Sequence, residues 1–377
     1  MPEAFYILAL SRLGFFHLSE MRTLLDRAGS AKALYEQRNE IREVMPECNQ
    51  SIAGAFKNWD EAMKRAEVEL EFTRKHNIKC LTINDGNYPQ RLAECNDAPL
   101  SLFYLGNADL NKLRVVSIVG TRRCTQYGRD MTERFVRELK EICPDVLITS
   151  GLAYGIDVIA HRAALECGMD TVGVLAHGLD TLYPAAHRNT AKQMLKQGGL
   201  LTEYFQQTKA DKVNFLRRNR IVAGMADATI VVESMYRGGS LSTARIANEY
   251  NREVFAVPGR VGDQCSEGCN KLIAQNRAQM FIDAHDFVQA MGWDYDRKLE
   301  NARSQGIQPD LFPNLSPEGQ KVVDVLKDSN DLQINILSVQ SGISIPELSS
   351  LLFDLEMEGL VKALPGGFTI WLILSNK

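Results

Sequence analysis

Several signatures that would place this 377-residue sequence quickly are missing from it. No run approaches the ~18–20 uncharged apolar residues of a membrane span. The opening MPEAFYILALSRLGFF is apolar, but Glu3 and Arg12 interrupt it and it has neither a basic leader nor a small-residue cleavage site. It reads as a helix rather than a signal peptide. Net charge is small: 43 Lys and Arg against 47 Asp and Glu leave −4. That excludes a blanket electrostatic polyanion binder, which carries a basic balance. The 8 cysteines are scattered over Cys48, Cys80, Cys95, Cys124, Cys143, Cys167, Cys265 and Cys269, with no second Cys/His pair at metal spacing after CSEGC. Reduced thiols of a cytoplasmic protein, and no metal, are the expectation. The glycine-rich turns lack GxGxxG, GxxxxGK[ST] and GxSxG, so no nucleotide cofactor or nucleophile elbow is expected.

What is present is ordinary globular material, 45% hydrophobic and 24% charged. Disorder, collagen-like repeats and a disulfide mini-protein are excluded. The length suggests about two to three domains, with a core large enough to need no metal or disulfide staple. Residues 1–77 repeat apolar positions at three and four, as in Leu8, Leu13, Met21, Leu24 and Leu25, and read as an all-helical domain. Residues 78–293 form the second domain. It begins extended and loop-like, punctuated by Pro89 and Pro99. It then alternates β-branched runs (RVVSIVG, DVLITS, TVGVLA, LLTE, ATIVVE, EVFAVPG) with amphipathic helices. That alternation predicts an α/β, Rossmann-like parallel sheet covered on both faces. Residues 294–315 read as a polar linker. Residues 316–377 read as three helices followed by two short strands, the winged-helix pattern.

Three strand-to-helix turns are glycine-rich: Val119 to Gly128, Ser150 to Asp157, and Gly238 to Ala244. In an open parallel sheet such turns line the carboxyl edge, where ligands bind, and helix starts attract phosphate. Cations gather beside them: Arg122 and Arg123 in the first turn, Arg237 before the third, and Lys212, Arg217, Arg218 and Arg220 in KVNFLRRNRIVAG, with Phe215 and Asn219 among them. Cations at a helix start oppose the dipole, so an anion nearby is expected to compensate. Arginine forks suit phosphate, and a basic groove with an interleaved aromatic suits single-stranded nucleic acid.

Catalytic alternatives are weaker. Asp157 and His161 stand at i and i+4, as a metal or acid–base pair would, but no third ligand follows, and a helix-packed histidine is the commoner arrangement. Glu203 and Glu233 end strands and could act as bases. Strand-end acids also pair with nearby arginines, and pairing is the expectation here.

These segments, in this order, resemble the DprA family (DNA-processing protein A, also called Smf). The resemblance runs through YPQRL, DAPLSLFYLG, VSIVGTRRCTQYG, SGLAYGIDVIAHRAAL, GLDTLYP, FLRRNRIVAG, GGSLSTARIANE, VFAVPG and EGCNKLI. It implies a Rossmann-like core that binds single-stranded DNA, forms homodimers, protects incoming strands in natural transformation and helps load a RecA-type recombinase, without strand chemistry. Carried over motif by motif, it assigns DNA contacts to Gly120, Thr121 and Arg122, to Ser150 and Gly151, to the run from Phe215 to Arg220, and to Gly238, Gly239, Ser240 and Thr243. The chain departs from the family pattern at Asn276-Arg277, where a glycine-alanine pair is expected, so the dimer or the sheet edge there is a place for rearrangement.

A different class, the nucleotide-processing hydrolases of the lysine-decarboxylase-like Rossmann group, needs a glutamate on the helix after a PGGxGTxxE turn. Here Arg245 and Ile246 fall near that position, and Glu249 lies a turn later. A transcription regulator reading DNA with its winged helix needs Arg, Lys, Asn or Gln on the reading helix. No Lys or Arg stands between Lys327 and Lys362, and IPELSSLLFDLEMEGL carries Glu347, Asp354, Glu356 and Glu358. The tail is expected to dock protein. The overall charge hides this contrast: Asn111 to Ala290 holds 23 basic against 19 acidic residues, and Ser316 to Lys377 holds 4 against 8.

Overall fold

The computed structural model describes residues 2–15, 17–48, 50–293, 315–329, 332–357, 360–364 and 368–371. The chain forms two compact units, Met1–Asp294 and Tyr295–Lys377. The expected linker at 294–315 lies, but for Leu315, outside the described residues.

In the larger unit, nine strands form one sheet: β1 (Lys79–Thr82), β2 (Ser101–Gly106), β3 (Val115–Val119), β4 (Leu147–Ser150), β5 (Thr171–Val174), β6 (Gly198–Thr202), β7 (Ala228–Val231), β8 (Glu253–Ala256) and β9 (Gln279–Met280). Their order is β1-β2-β6-β5-β4-β3-β7-β8-β9. The seven strands from β6 to β9 are parallel. The sheet is not parallel throughout, as the sequence reading had it: β1 and β2 add an antiparallel border against β6. The stretch read as extended and loop-like supplies them, β1 before Pro89 and β2 after Pro99. The chain leaves β3 toward β4, β5 and β6, then returns to place β7 on the other side of β3. The switch point therefore opens between the carboxyl ends of β3 and β7, where an α/β sheet leaves a crevice.

The strands read as continuous apolar runs because both faces are covered. Alternation along β3 divides them: Val115 and Val119 face one core, Val116 and Ile118 the other. The first core is closed by the helices Lys212–Gly224 and Gly239–Glu249, the second by Gln126–Ile142 and Ile156–Glu166. The N-terminal helices, from Glu3–Leu13 to Trp59–Lys75, share a core with the sheet border. Leu8, Met21 and Trp59 lie in one buried cluster with Ile78, Leu100, Phe103 and Phe205. At the far edge Asn276 takes a left-handed backbone with φ 54°, the conformation glycine supplies most readily and asparagine tolerates. Asparagine thus replaces the family's glycine there without breaking the edge, and the chain runs on into β9.

The smaller unit holds the helices Pro317–Asp328, Ile334–Ser341 and Ile345–Met357 and a three-stranded sheet of Leu332–Gln333, Val361–Leu364 and Phe368–Trp371. Ser316 caps its first helix, its hydroxyl accepting from the Gly319 amide at 3.0 Å, with Pro317 at the first helical position. Among the described residues no single helix is long and apolar enough to cross a membrane, and no three His, Cys, Asp or Glu side chains gather to hold a metal ion.

Candidate nucleic-acid interface

The switch point holds a cavity of about 730 Å³. Each glycine-rich turn reaches it for a local reason. The turn after β3 is fixed by Glu233, a buried acid just past β7. Its carboxylate accepts from the Thr125 amide at 2.9 Å and the Thr125 hydroxyl at 2.5 Å, while its carbonyl accepts from the Thr121 amide at 2.8 Å. Gly128 lies so close to this carboxylate that a Cβ would collide with it. Glu233 therefore pairs with a hydroxyl and amides, where the sequence reading expected an arginine. In the turn after β4, Gly155 has φ 75° and packs against the Thr121 carbonyl, a conformation that favours glycine. In the turn after β7, the Ser240 hydroxyl donates to the Ser234 hydroxyl at 2.9 Å, and the start of the helix Gly239–Glu249 lines the cavity.

The helix Lys212–Gly224 forms another wall. Asp211 caps it, accepting from the Asn214 amide at 2.8 Å. This is an anion of the chain's own at the helix start, so the compensation sought for the basic run comes partly from within the protein. Lys212, Phe215, Arg218 and Asn219 line the cavity. The Arg122 guanidinium stands 5.0 Å from the Phe215 ring centre and that of Arg218 at 5.9 Å.

Of the expected contacts, the cavity brings together Gly120, Thr121, Arg122, Lys212, Phe215, Arg218, Asn219, Gly238, Gly239, Ser240 and Thr243. The other five stand elsewhere. Arg123 is exposed but does not line it. Ser150 is buried, its hydroxyl donating to the Ile118 carbonyl at 2.5 Å. Gly151 lies beneath the Arg218 guanidinium. Arg217 turns to the N-terminal helices, donating to the Phe15 carbonyl and stacking 4.1 Å from the Phe15 ring centre. Arg220, 6% exposed, pairs with buried Glu203 at 2.5 Å and with Asp97 at 3.9 Å.

Arg218 reaches the cavity but is not a free surface cation. It is 4% exposed and donates to the carbonyls of Gly151 and Val174, which end β4 and β5. Its charge sits near Asp157, whose buried carboxyl is pushed up by desolvation while Arg218 draws it back down. Arg218 is thus a brace between two strand ends and the helix. His161 is the packed histidine the sequence suggested: its Nδ1 lies 2.7 Å from the Thr171 hydroxyl, and burial pushes it down to about 3.

The cavity also takes residues the candidate set omitted: Ala153, Asp157, Tyr183, Met235 and Arg237. Tyr183 had a sequence signal, since GLDTLYP follows β5 and must lie at the carboxyl edge.

A family model described as DNA recombination-mediator protein A matches residues 79–292, and one for the DprA winged helix domain matches residues 308–367. Protein Smf of Escherichia coli is 32% identical over 81% of this chain and 80% of its own length. DNA processing protein DprA of Streptococcus pneumoniae is 40% identical over 59% of this chain and 77% of its own. The X-ray structure of the S. pneumoniae protein superposes with a TM-score of 0.63 at 32% identity, covering 76% of this chain and 97% of that one. A structure of DNA processing protein A from Helicobacter pylori, described for its single-stranded DNA binding mode, gives 0.52 at 30% identity over 58% of this chain and 96% of that one. With the sheet unit and the tail both matched, the chain belongs to the DprA/Smf family of DNA recombination-mediator proteins.

Proposed function

We propose that this protein binds single-stranded DNA along the carboxyl edge of its sheet and serves homologous recombination as an accessory to a RecA-type recombinase. The observation that carries the reading is the switch-point cavity. Residues of all three glycine-rich turns line it, and Arg122, Lys212 and Arg237 bring positive charge beside the rings of Phe215 and Tyr183. Amides and cations suit phosphates of any sequence, and rings suit unpaired bases. The single-stranded DNA binding described for the H. pylori relative supports the same ligand.

The finer parts of the reading follow from the family. The protein works in the cytoplasm as a homodimer, so that one strand spans two cavities and gains avidity. It protects incoming strands in natural transformation and hands them to the recombinase. The tail docks protein, in keeping with a reading helix that exposes Glu347, Asp354 and Glu356 and would be repelled by phosphate. No catalysis and no cofactor are assigned. The hydrolase alternative has lost its acid, since Glu249 is exposed, paired with Arg245, and does not line the cavity.

The test titrates the full chain against a labelled single strand and an equal-length duplex, with its mass measured alongside. The reading predicts clear preference for the single strand by a dimer. Equal affinity for both, or turnover of nucleotides by pure protein, contradicts it.

A further inference from the structure

The ring expected to stack on a base, Phe215, already has close neighbours: Arg122 at 5.0 Å, Arg218 at 5.9 Å and the Tyr183 ring at 5.7 Å between centres, tilted by 58°. Phe215 is half-buried among them. Tyr183 is 48% exposed and lines the same cavity, on the loop after β5. We propose that Tyr183 is a second base-stacking residue, presenting the open ring of a two-ring platform whose inner ring is Phe215. The proposal rests on the single-stranded DNA reading above and adds a recognition element to it.

The loop is built to hold this ring in place. The Tyr183 amide donates to Nε2 of His177 at 3.1 Å, and His177 is buried. Nδ1 of the same imidazole lies 2.9 Å from the Gly178 carbonyl. An imidazole that accepts at Nε2 and donates at Nδ1 is neutral with its proton on Nδ1, so the two bonds together fix both ring and loop. The Phe215 ring packs beside it, 5.7 Å between centres. A ring fixed before the strand arrives loses little freedom on binding, which favours affinity. Arg122 and Lys212, which line the same cavity, can hold the phosphates that flank a stacked base, so ring and cations serve one nucleotide step. Stacking reads no sequence, because every base has a face.

The experiment uses the full chain with two probes, an oligothymidylate and an abasic strand of the same length. Tyr183→Ala is expected to weaken the oligothymidylate about tenfold. It should bind the abasic strand as the unaltered protein does and keep the same salt dependence, because no phosphate contact is lost. Tyr183→Phe should restore binding, since the ring and not the hydroxyl stacks. An oligonucleotide carrying 5-iodouracil should photo-crosslink to Tyr183 in the unaltered protein, which needs no variant to fold. If Tyr183→Ala binds the oligothymidylate normally while Phe215→Ala and Arg122→Ala lose affinity, or if the crosslink avoids Tyr183, the proposal is overturned and the DNA reading stands. If the unaltered protein binds neither probe, both fall together.

Discussion

The two faces of the helix Lys212–Gly224 come from one run of sequence, and both carry cations. On the cavity face Lys212 is exposed and lines the cavity with Arg122 and Phe215. Arg218 reaches the cavity yet is spent bracing the ends of β4 and β5, and on the inner face Arg220 is locked to Glu203. The first set is available to a ligand; the second is already satisfied by the protein. Residue type alone does not separate them. Burial and partner do, because a guanidinium whose forks are filled by carbonyls or a carboxylate has little left for phosphate.

The comparison can be broken most forcefully at Arg220. Arg220→Ala leaves Glu203 buried without its countercharge, and the loss in stability should be about 3–5 kcal/mol, read by urea denaturation. If the variant melts normally but binds DNA poorly, the inner face has been misassigned.

Acid probes the same inner face next. His161 is buried beside His187 and Arg218 and titrates near 3 in the fold against 6.5 when free. Between those values the unfolded chain takes up a proton that the fold refuses, so stability falls as pH drops below 6.5. By pH 5 the loss should be about 2 kcal/mol. His161→Asn should flatten that part of the pH–stability curve, and an unchanged curve would remove His161 as its source.

The cavity face responds through affinity. Arg122→Ala should weaken all single strands alike, by about tenfold for a charged contact, with normal stability. Arg218→Ala should lower stability first. That differs from what the basic run alone suggested, in which Arg218 served phosphate as directly as Arg122.

The smallest effect is expected at the tail. Removing residues 315–377 should leave single-strand affinity within about twofold, as the phosphate contacts lie in the larger unit. The tail has the pattern of a DNA-reading fold and the charge of something else: Phe353 is 64% exposed and the acidic Asp354 and Glu356 follow it, exposed as well. A fold shared with DNA readers does not carry their function when the side chains disagree.

Much of this was legible beforehand. The six runs from RVVSIVG to EVFAVPG announce themselves because strands buried on both faces cannot afford polar alternation. The glycine turns were visible because tight approach needs glycine. β1 and β2 were missed because the prolines between them and their border position weaken the pattern, and β9 because two residues have no period. That Glu203 pairs with an arginine was expected and is found, but that the arginine is Arg220 was not legible: one partner stands just past β6 and the other on a helix, and only the fold brings them together. Asp211 was the opposite case, an N-cap standing in plain view before Lys212.

The most direct test of the account is a salt series of single-strand affinity for the unaltered protein beside Arg122→Ala and Arg217→Ala. Arg122→Ala should flatten the log–log slope by about 0.7 per lost phosphate contact, while Arg217→Ala, whose side chain is held at Phe15, leaves the slope unchanged. Equal flattening in both variants, or none in Arg122→Ala, would contradict the division between cations open to the cavity and cations the protein already holds.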